Sequence, residues 1–566
     1  MIMEKKDSKK ELPDYIKKKI WLKSYPPELP AEVDIPENET IATIAASAAK
    51  KYGDMVAQIF YGREFTYTQL DGLIRRFATA LKNLGIEKGD TFAIHSPNCP
   101  QFSIAYFAAH TIGATVTALS PLFVAREVGY QLKDSKSKTL FVMDMFYPHF
   151  KAVKEETEVE NVIAFNIMGQ KAQIQNGEGV HDMTELIMKT EPKSWEELNP
   201  GVMQEDIAVL QYTGGTTGLP KAAMLTHRNI VANVYQCQPY NEGVKKKFKI
   251  DRVKGISILP WYHIYGQTVD LIMGLAFGSL GIIFPRFDPA EILDAIQKYR
   301  PNYFFGVAPL FVALLNHPKI KEVDMSCLVY VNNGATSIPV EVVKKWDEVV
   351  GVPIVEGYGL SEASPVTHTT SPLLKRKIGS IGTPIPSTLA GIVDPETLEW
   401  LPPGKEGELV VSGPQVMKGY WNRPEETEKV FFEAGGHKWL RTGDIAKMDE
   451  DGYFWIVDRV KDIIKYKGHS VYPRDVEEVL YEHPAVLEAA VVGVPDPEAG
   501  ENIKAYVTLK PDYKGKVTEK DIIEWCKQRL AAYKYPRMVE FIEQMPKSAA
   551  GKVLRRLLRE KAMAGS

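Results

Sequence analysis

The stretch at residues 211–222, Q-Y-T-G-G-T-T-G-L-P-K-A, constrains this chain more than any other. It follows an apolar run, Ile207-Ala208-Val209-Leu210, that reads as a buried strand ending where the glycines begin. Gly214, Gly215 and Gly218 strip side chains from the backbone, so its N–H groups can approach an anion closely. Tyr212, Thr213, Thr216 and Thr217 add hydroxyls that can wrap phosphate oxygens, and Lys221, positioned by Pro220, adds a point charge suited to a polyphosphate. A Walker loop is excluded, because Gly218 is followed by Leu219-Pro220 and Lys221 by Ala222. The chemistry implied is phosphate cradling.

A length of 566 residues exceeds what one hydrophobic core serves, so more than one domain is expected. With 45% hydrophobic and 25% charged residues, the composition is that of a soluble globular protein. A net charge of −3 argues against nucleic acid or an anionic membrane as main partner, and the lysines at 245–247 read as a solvated loop. Cys99, Cys237, Cys327 and Cys526 are scattered without metal or disulfide spacing, which fits a reducing compartment. The start, M-I-M-E-K-K-D-S-K-K, lacks the apolar core of a signal peptide, so a cytoplasmic location is expected. The longest apolar run, 271–284, is too short to span a bilayer and reads as a buried helix and strand. Transient membrane contact is left open.

Residues 1–20 read as a disordered tail, and 21–33 as a Pro-rich lead-in. From 40 to 145, helical and strand patterns alternate: a helix at 70–84, a strand at 91–95, a helix at 103–110, strands at 113–119 and within 134–142. That alternation predicts a doubly wound, largely parallel sheet in an α/β domain. Residues 170–200 are polar and read as an irregular surface excursion. Asp288-Pro289-Ala290-Glu291 reads as a capping box opening a helix with Ile292, Ala295, Ile296 and Tyr299 on one face, ended by Pro301 before a strand at 303–307. Residues 379–457 turn to short strands and Gly/Pro turns, which predicts a small antiparallel β subdomain. The architecture expected is an N-terminal domain at 21–460 and a smaller α+β domain at 461–566.

Residues 212–222 resemble the phosphate loop of the adenylate-forming superfamily: acyl-CoA synthetases, luciferases and peptide-synthetase adenylation domains. Further stretches resemble that family in its order. Tyr358-Gly359-Leu360-Ser361-Glu362 offers an aromatic to stack a base, a hydroxyl for a phosphate and a carboxylate for Mg²⁺, which needs few carboxylates beside waters and phosphate oxygens. Its resemblance to the second family signature implies that Tyr358 packs on adenine and that Glu356, Gly357, Gly359 and Ser361 border the nucleotide. Glu362, with Thr213, would hold magnesium. Gly334 and Ala335 resemble the small-residue strip that admits adenine from the other side. Thr442-Gly443-Asp444 alone is a common turn; the resemblance assigns Asp444 the ribose hydroxyls. Residues 457–462 resemble the family hinge, with Arg459 on the nucleotide and Lys461 at the pivot, where many relatives carry Asp. Lys465, Lys467 and Gly468 resemble the loop that lines the site during thioester formation; without the family they read as a basic exposed turn. A loop starting at Pro546 and bent at Gly551 can carry Lys552 into another domain's cleft, where, by resemblance, it would offset charge building in adenylation.

The resemblance implies an enzyme that uses ATP, Mg²⁺ and coenzyme A in two half-reactions, with Lys552, Thr213, Glu362 and His263 carrying the chemistry and a mobile C-terminal domain turning at Lys461. The acyl-side segment Leu259-Pro260-Trp261-Tyr262-His263-Ile264-Tyr265-Gly266 lacks the Asp that grips an amino acid in some relatives, though Asp270 lies a few residues on. Trp261, Tyr262, His263, Gly266, Gly306, Val307 and Pro309 are the substrate-side candidates. His263 reads either as a gate or as a hydrogen-bonded core histidine. The G-V-A-P-L-F match and the lead-in imply medium- to long-chain fatty acids, whereas Trp261 and Tyr262 as plugs would select short, branched or aryl acids. A luciferase-type oxygenase and a carrier-protein adenylation module share these motifs. A binder that has lost catalysis is opposed by intact Lys221, Glu362, Asp444, Arg459 and Lys552. The sequence is silent on oligomeric state; a homodimer is left open.

Overall fold

The computed structural model of the chain describes residues 11–174, 177, 179–213, 220–547 and 552–564. Among these residues the strands form sheets of nine, eight, five and five strands. In the eight-stranded sheet, Thr115–Leu119, Thr91–His95, Ser137–Met143, Asn161–Phe165 and Val180–Asp182 run parallel in that order, and Ile207–Thr213 joins beside Thr115–Leu119. This is the doubly wound sheet that the alternation predicts. The helix Pro100–Thr111 is buried on nearly all sides, so its sequence carries no apolar stripe.

The nine-stranded sheet has six parallel strands at its centre, from Ile354–Gly359 through Tyr330–Asn333, Tyr303–Gly306, Lys254–Ser257 and Leu280–Ile283 to Val56–Phe60. The carboxyl ends of Tyr330–Asn333 and Ile354–Gly359 therefore deliver Gly334 and the 356–362 turn to one crevice, the usual ligand position on such sheets. Residues 379–457 supply the predicted antiparallel sheet, in which His437–Met448 pairs with both Gly407–Ser412 and Phe454–Arg459. The last sheet is built on the hairpin of Val486–Asp496 and Gly500–Leu509, with Met538–Phe541 added in parallel.

Four expectations change, one being that Lys245, Lys246 and Lys247 form the last turn of the helix His227–Phe248, not a loop. Residues 11–20 are not a loose tail: Asp14–Lys17 is a helix, and Ile16 is buried in one cluster with Trp21. The polar segment 170–200 contains the strand Val180–Asp182 and the helices Met183–Lys189 and Trp195–Leu198, each capped by a polar side chain, from Asp182 and Ser194. Asp288 caps Pro289–Tyr299 through the N–H groups of Ala290 and Glu291, but Glu291 pairs with Arg286 at 2.9 Å instead of closing a reciprocal box.

Candidate active site

The strand Ile207–Thr213 leads into the phosphate stretch, and its antiparallel partner Lys221–Thr226 leads out, with Thr213 opposite Lys221. Gly214, Gly215, Thr216, Thr217 and Gly218 lie outside the described residues. The Thr213 hydroxyl donates to the Lys221 carbonyl at 3.4 Å. The Tyr212 hydroxyl donates to Asp134 at 2.7 Å, and Arg423 donates to the other oxygen of that carboxylate at 2.9 Å. Lys221 pairs with Glu426 and stands 5.0 Å from the centre of the Tyr420 ring.

Tyr212, Thr213, Lys221, Tyr420, Arg423 and Glu426 border a cleft of about 2150 Å³. Its sheet wall carries Gly334, Ala335, Glu356, Gly357, Tyr358 and Gly359, followed by Ser361 and Glu362. A side chain on Gly334 would begin 2.8 Å from the Tyr265 ring, so the backbone can pass that ring only as glycine. Tyr265 in turn donates to Asn332 at 3.0 Å. Glu362 accepts a 2.7 Å hydrogen bond from Tyr420. Burial raises the Glu356 carboxyl to about 7, against a smaller opposing pull from Arg474.

The β subdomain contributes Asp444 and Arg459, which face each other across neighbouring strands and pair at 3.1 Å. Tyr358 donates to the second Asp444 oxygen at 2.6 Å. Lys461 and Lys552 also line the cleft. Burial lowers Lys552 to about 7, helped by the Arg459 charge and opposed by Asp444. The helix that follows it, Arg555–Ala564, is clamped next to Lys461: Arg555 reaches Asp462 at 3.4 Å and Glu477 at 2.7 Å, and Arg559 reaches Asp462 at 3.0 Å.

Of the substrate-side candidates, Tyr262, His263 and Pro309 line the cleft. Burial, then the Lys552 charge, lowers His263 to about 4, so the ring is neutral; its Nδ1 accepts the Tyr265 N–H at 3.2 Å, which puts the proton on Nε2. His263 is thus hydrogen-bonded and faces the cleft. Trp261, Gly266, Gly306 and Val307 are not among the lining residues. Trp261 packs edge-on against Phe102 with ring centres 5.7 Å apart and donates to Ser257 at 3.2 Å, so the core, not the cleft, holds its indole. Gly306 stands against the Phe311 ring, and Gly266 against the Pro260 carbonyl, where their missing side chains serve packing. Lys465, Lys467 and Gly468 are exposed and outside the cleft lining, on a hairpin whose turn residues Lys467 and Gly468 both have positive φ.

Tyr420, Arg423, Glu426 and Asp134 were not among the sequence candidates. They come from remote segments, since Gly419–Tyr420 joins the phosphate hairpin only as an antiparallel edge on Lys221–Thr226.

A ligand-sized cleft at the carboxyl ends of parallel strands, met by a lysine from a second sheet system, is the build of a nucleotide-handling α/β enzyme. Residues 45–421 match the AMP-binding enzyme family and residues 475–552 match the AMP-binding enzyme C-terminal domain, and the chain belongs to this family. It is 41% identical over 563 residues to a long-chain-fatty-acid–CoA ligase of Bacillus subtilis (strain 168), covering 96% of this chain and 98% of the relative. Among solved structures it is similar to ATP-bound MatB from Rhodopseudomonas palustris, with a TM-score of 0.82, 27% identity and coverage of 92% and 98%. Against apo MatB at the same coverage and 26% identity the TM-score is 0.72.

Proposed function

We propose that this chain is an AMP-forming fatty acid–CoA ligase for medium- to long-chain acids, with ATP and coenzyme A as co-substrates. The observation that carries the reading is the position of Lys552. It comes from beyond the last sheet, yet sits half-buried beside Asp444, Arg459 and Lys461 and close enough to His263 to depress that ring's basicity. A lysine held partly discharged in such a site is poised to be recharged by an anionic ligand. The substrate class follows from likeness to the B. subtilis ligase.

In the first half-reaction the acid's carboxylate attacks the α-phosphorus of ATP, and pyrophosphate leaves. Tyr358 would pack on adenine, Asp444 would accept the ribose hydroxyls, and Lys552 would offset charge on the carboxylate and α-phosphate, so that positioning and charge do the work. His263, neutral with its proton on Nε2, can donate to the incoming carboxylate without competing for Lys552's role. Glu362, steadied by Tyr420, and the Thr213 hydroxyl form a donor set that fits Mg²⁺, an ion that completes its shell with waters and phosphate oxygens. Among the described residues no group of three or more His, Cys, Asp or Glu forms an all-protein cage. Bound there, the ion would screen the charge of the polyphosphate.

In the second half-reaction the CoA thiol attacks the acyl-adenylate and AMP leaves. The portion from 461 onward would turn about Lys461, withdraw Lys552 and present the exposed Lys465–Gly468 hairpin. The higher TM-score to ATP-bound than to apo MatB supports an adenylation-like arrangement here. The boundary of the two domains falls at 460/461 in this reading. Four unpaired thiols favour the cytoplasm, and among the described residues no helix is long and apolar enough to cross a membrane.

The test is AMP release from ATP across acids of increasing chain length, with and without CoA. Each buried methylene adds about 0.8 kcal/mol, so a rising, CoA-dependent series through medium and long chains is expected. A sharp peak at short or aryl acids, or AMP release indifferent to CoA, would overturn the reading.

A further inference from the structure

One arm of the cleft carries a carboxyl group that a plain hydrocarbon chain has no use for. This arm runs between the strand Lys254–Ser257, at Gly255 and Ser257, and the π-helical turn Gly266–Ile272 with its continuation Met273–Ala276. At Gly255 and Gly274 nothing stands within 4 Å of where a side chain would begin, so the arm has room. Asp270 lines it, half-buried.

The polar groups around Asp270 form a directed relay. An indole N–H can only donate, so Trp261 donates to the Ser257 hydroxyl at 3.2 Å, and that hydroxyl donates on to Asp270 at 3.2 Å. The Leu259 N–H also donates to this carboxyl. Burial, which outweighs both bonds, pushes the Asp270 carboxyl well above the usual carboxylate range. In its protonated form the carboxyl ends the relay with its own O–H as a donor on the wall of the arm. Against methylenes alone that donor would be desolvated without a partner, which is costly. A hydroxyl on the chain would satisfy it, accepting from the O–H and donating back to the second oxygen. An ammonium would need the ionised carboxylate, which burial opposes.

We infer that Asp270 is a specificity-determining residue, which makes this arm selective for hydroxylated fatty acids over plain chains of the same length. The inference rests on the acyl-ligase reading above. The experiment compares kcat/KM of CoA-dependent AMP release for hexadecanoic acid and for its monohydroxy isomers, with the hydroxyl moved along the chain. It is run on the full-length protein and on its Asp270→Leu and Asp270→Asn variants. In the unaltered protein one hydroxyl position should exceed the plain acid by tenfold or more, since a site built to hydrogen-bond rejects an analogue lacking the group. Asp270→Leu should invert that ratio in favour of the plain acid, and Asp270→Asn should keep part of it. Preference for the plain acid over every isomer, or a ratio unchanged by Asp270→Leu, would overturn the inference while leaving the ligase reading intact. Should Asp270→Leu not fold, the positional scan and Asp270→Asn decide alone. Failure of all these acids to release AMP would overturn both.

Discussion

The Tyr358 hydroxyl donates a 2.6 Å hydrogen bond to Asp444, whose other oxygen faces Arg459 at 3.1 Å. One carboxylate thereby ties the end of the nine-stranded sheet to the hairpin of the β subdomain. Burial, then the Asp444 charge, raises Tyr358 well above the usual tyrosine range, so it remains a donor wherever the fold persists.

Tyr358→Phe removes that donor and leaves the Arg459 pair to hold Asp444. A hydrogen bond to a charged group contributes about 1.5–3 kcal/mol, so kcat/KM for ATP should fall roughly tenfold or more, mainly through KM. Steady-state kinetics with ATP varied at saturating acid checks this. Unchanged KM would mean that Asp444 does not meet the nucleotide.

Lys552→Ala should lower acyl-adenylate formation by about 10²–10³-fold, the usual loss when one charge-stabilising group is removed. Thioester formation from supplied acyl-AMP should stay within about threefold, as Lys552 would have left the cleft by then. Equal losses in both half-reactions would refute this division of labour.

The lowered Lys552 pKa gives a pH signature. With Lys552 near 7 in the ligand-free cleft, its ammonium is lost as pH rises through that value. The kcat/KM for ATP, which reports the free enzyme, should therefore decline above pH about 7. Bound polyphosphate favours the ammonium, so the decline in kcat should lie at higher pH. Lys552→Arg should lose the limb altogether, and a limb that survives in that variant belongs to another group.

Glu356 predicts a stability change with a defined sign. Its carboxyl is raised from 4.5 to about 7 in the fold, so the stability contributed by its protonated form is full below pH about 4.5 and lost as pH rises through 7. Glu356→Gln stays neutral throughout. Its thermal midpoint should match that of the unsubstituted chain near pH 4.5 and exceed it at pH 8, by roughly 2 kcal/mol of stability. Equal midpoints at pH 8 would show Glu356 ionised without penalty.

The parts legible in the sequence were those with local causes. The alternation at 40–145, the helix start at Asp288 and the strand leading into 211–222 each follow from a few neighbouring residues; the first and last take the expected form, and Asp288 caps its helix without the reciprocal bond from Glu291. What failed depends on which wall a side chain faces. Trp261 and Tyr262 are adjacent and both aromatic, yet they sit in a turn closed by the His263 N–H on the Pro260 carbonyl, and one ring enters the core against Phe102 while the other lines the cleft. No periodicity distinguishes them. Tyr420 and Glu426 escaped for a different reason. Their contact with Glu362 and Lys221 exists only because an edge strand from far along the chain pairs with Lys221–Thr226. The polar stretch 170–200 shows a third cause, in which two short helices owe their ends to Asp182 and Ser194, not to apolar spacing.

The clamp of Arg555 and Arg559 on Asp462 makes the segment around Lys461 and the helix after Lys552 a single mechanical piece. In the proposed rotation Lys552 would be the handle of a crank whose axle, Lys461, sits one residue from the Asp462 fastening. If the backbone turns at Lys461 as proposed, Lys552 would leave the cleft together with the helix that follows it. On the same reading the linkage would run backwards: an anion held by Lys552 would hold the segment at Lys461, so the substrate would set when the rotation begins.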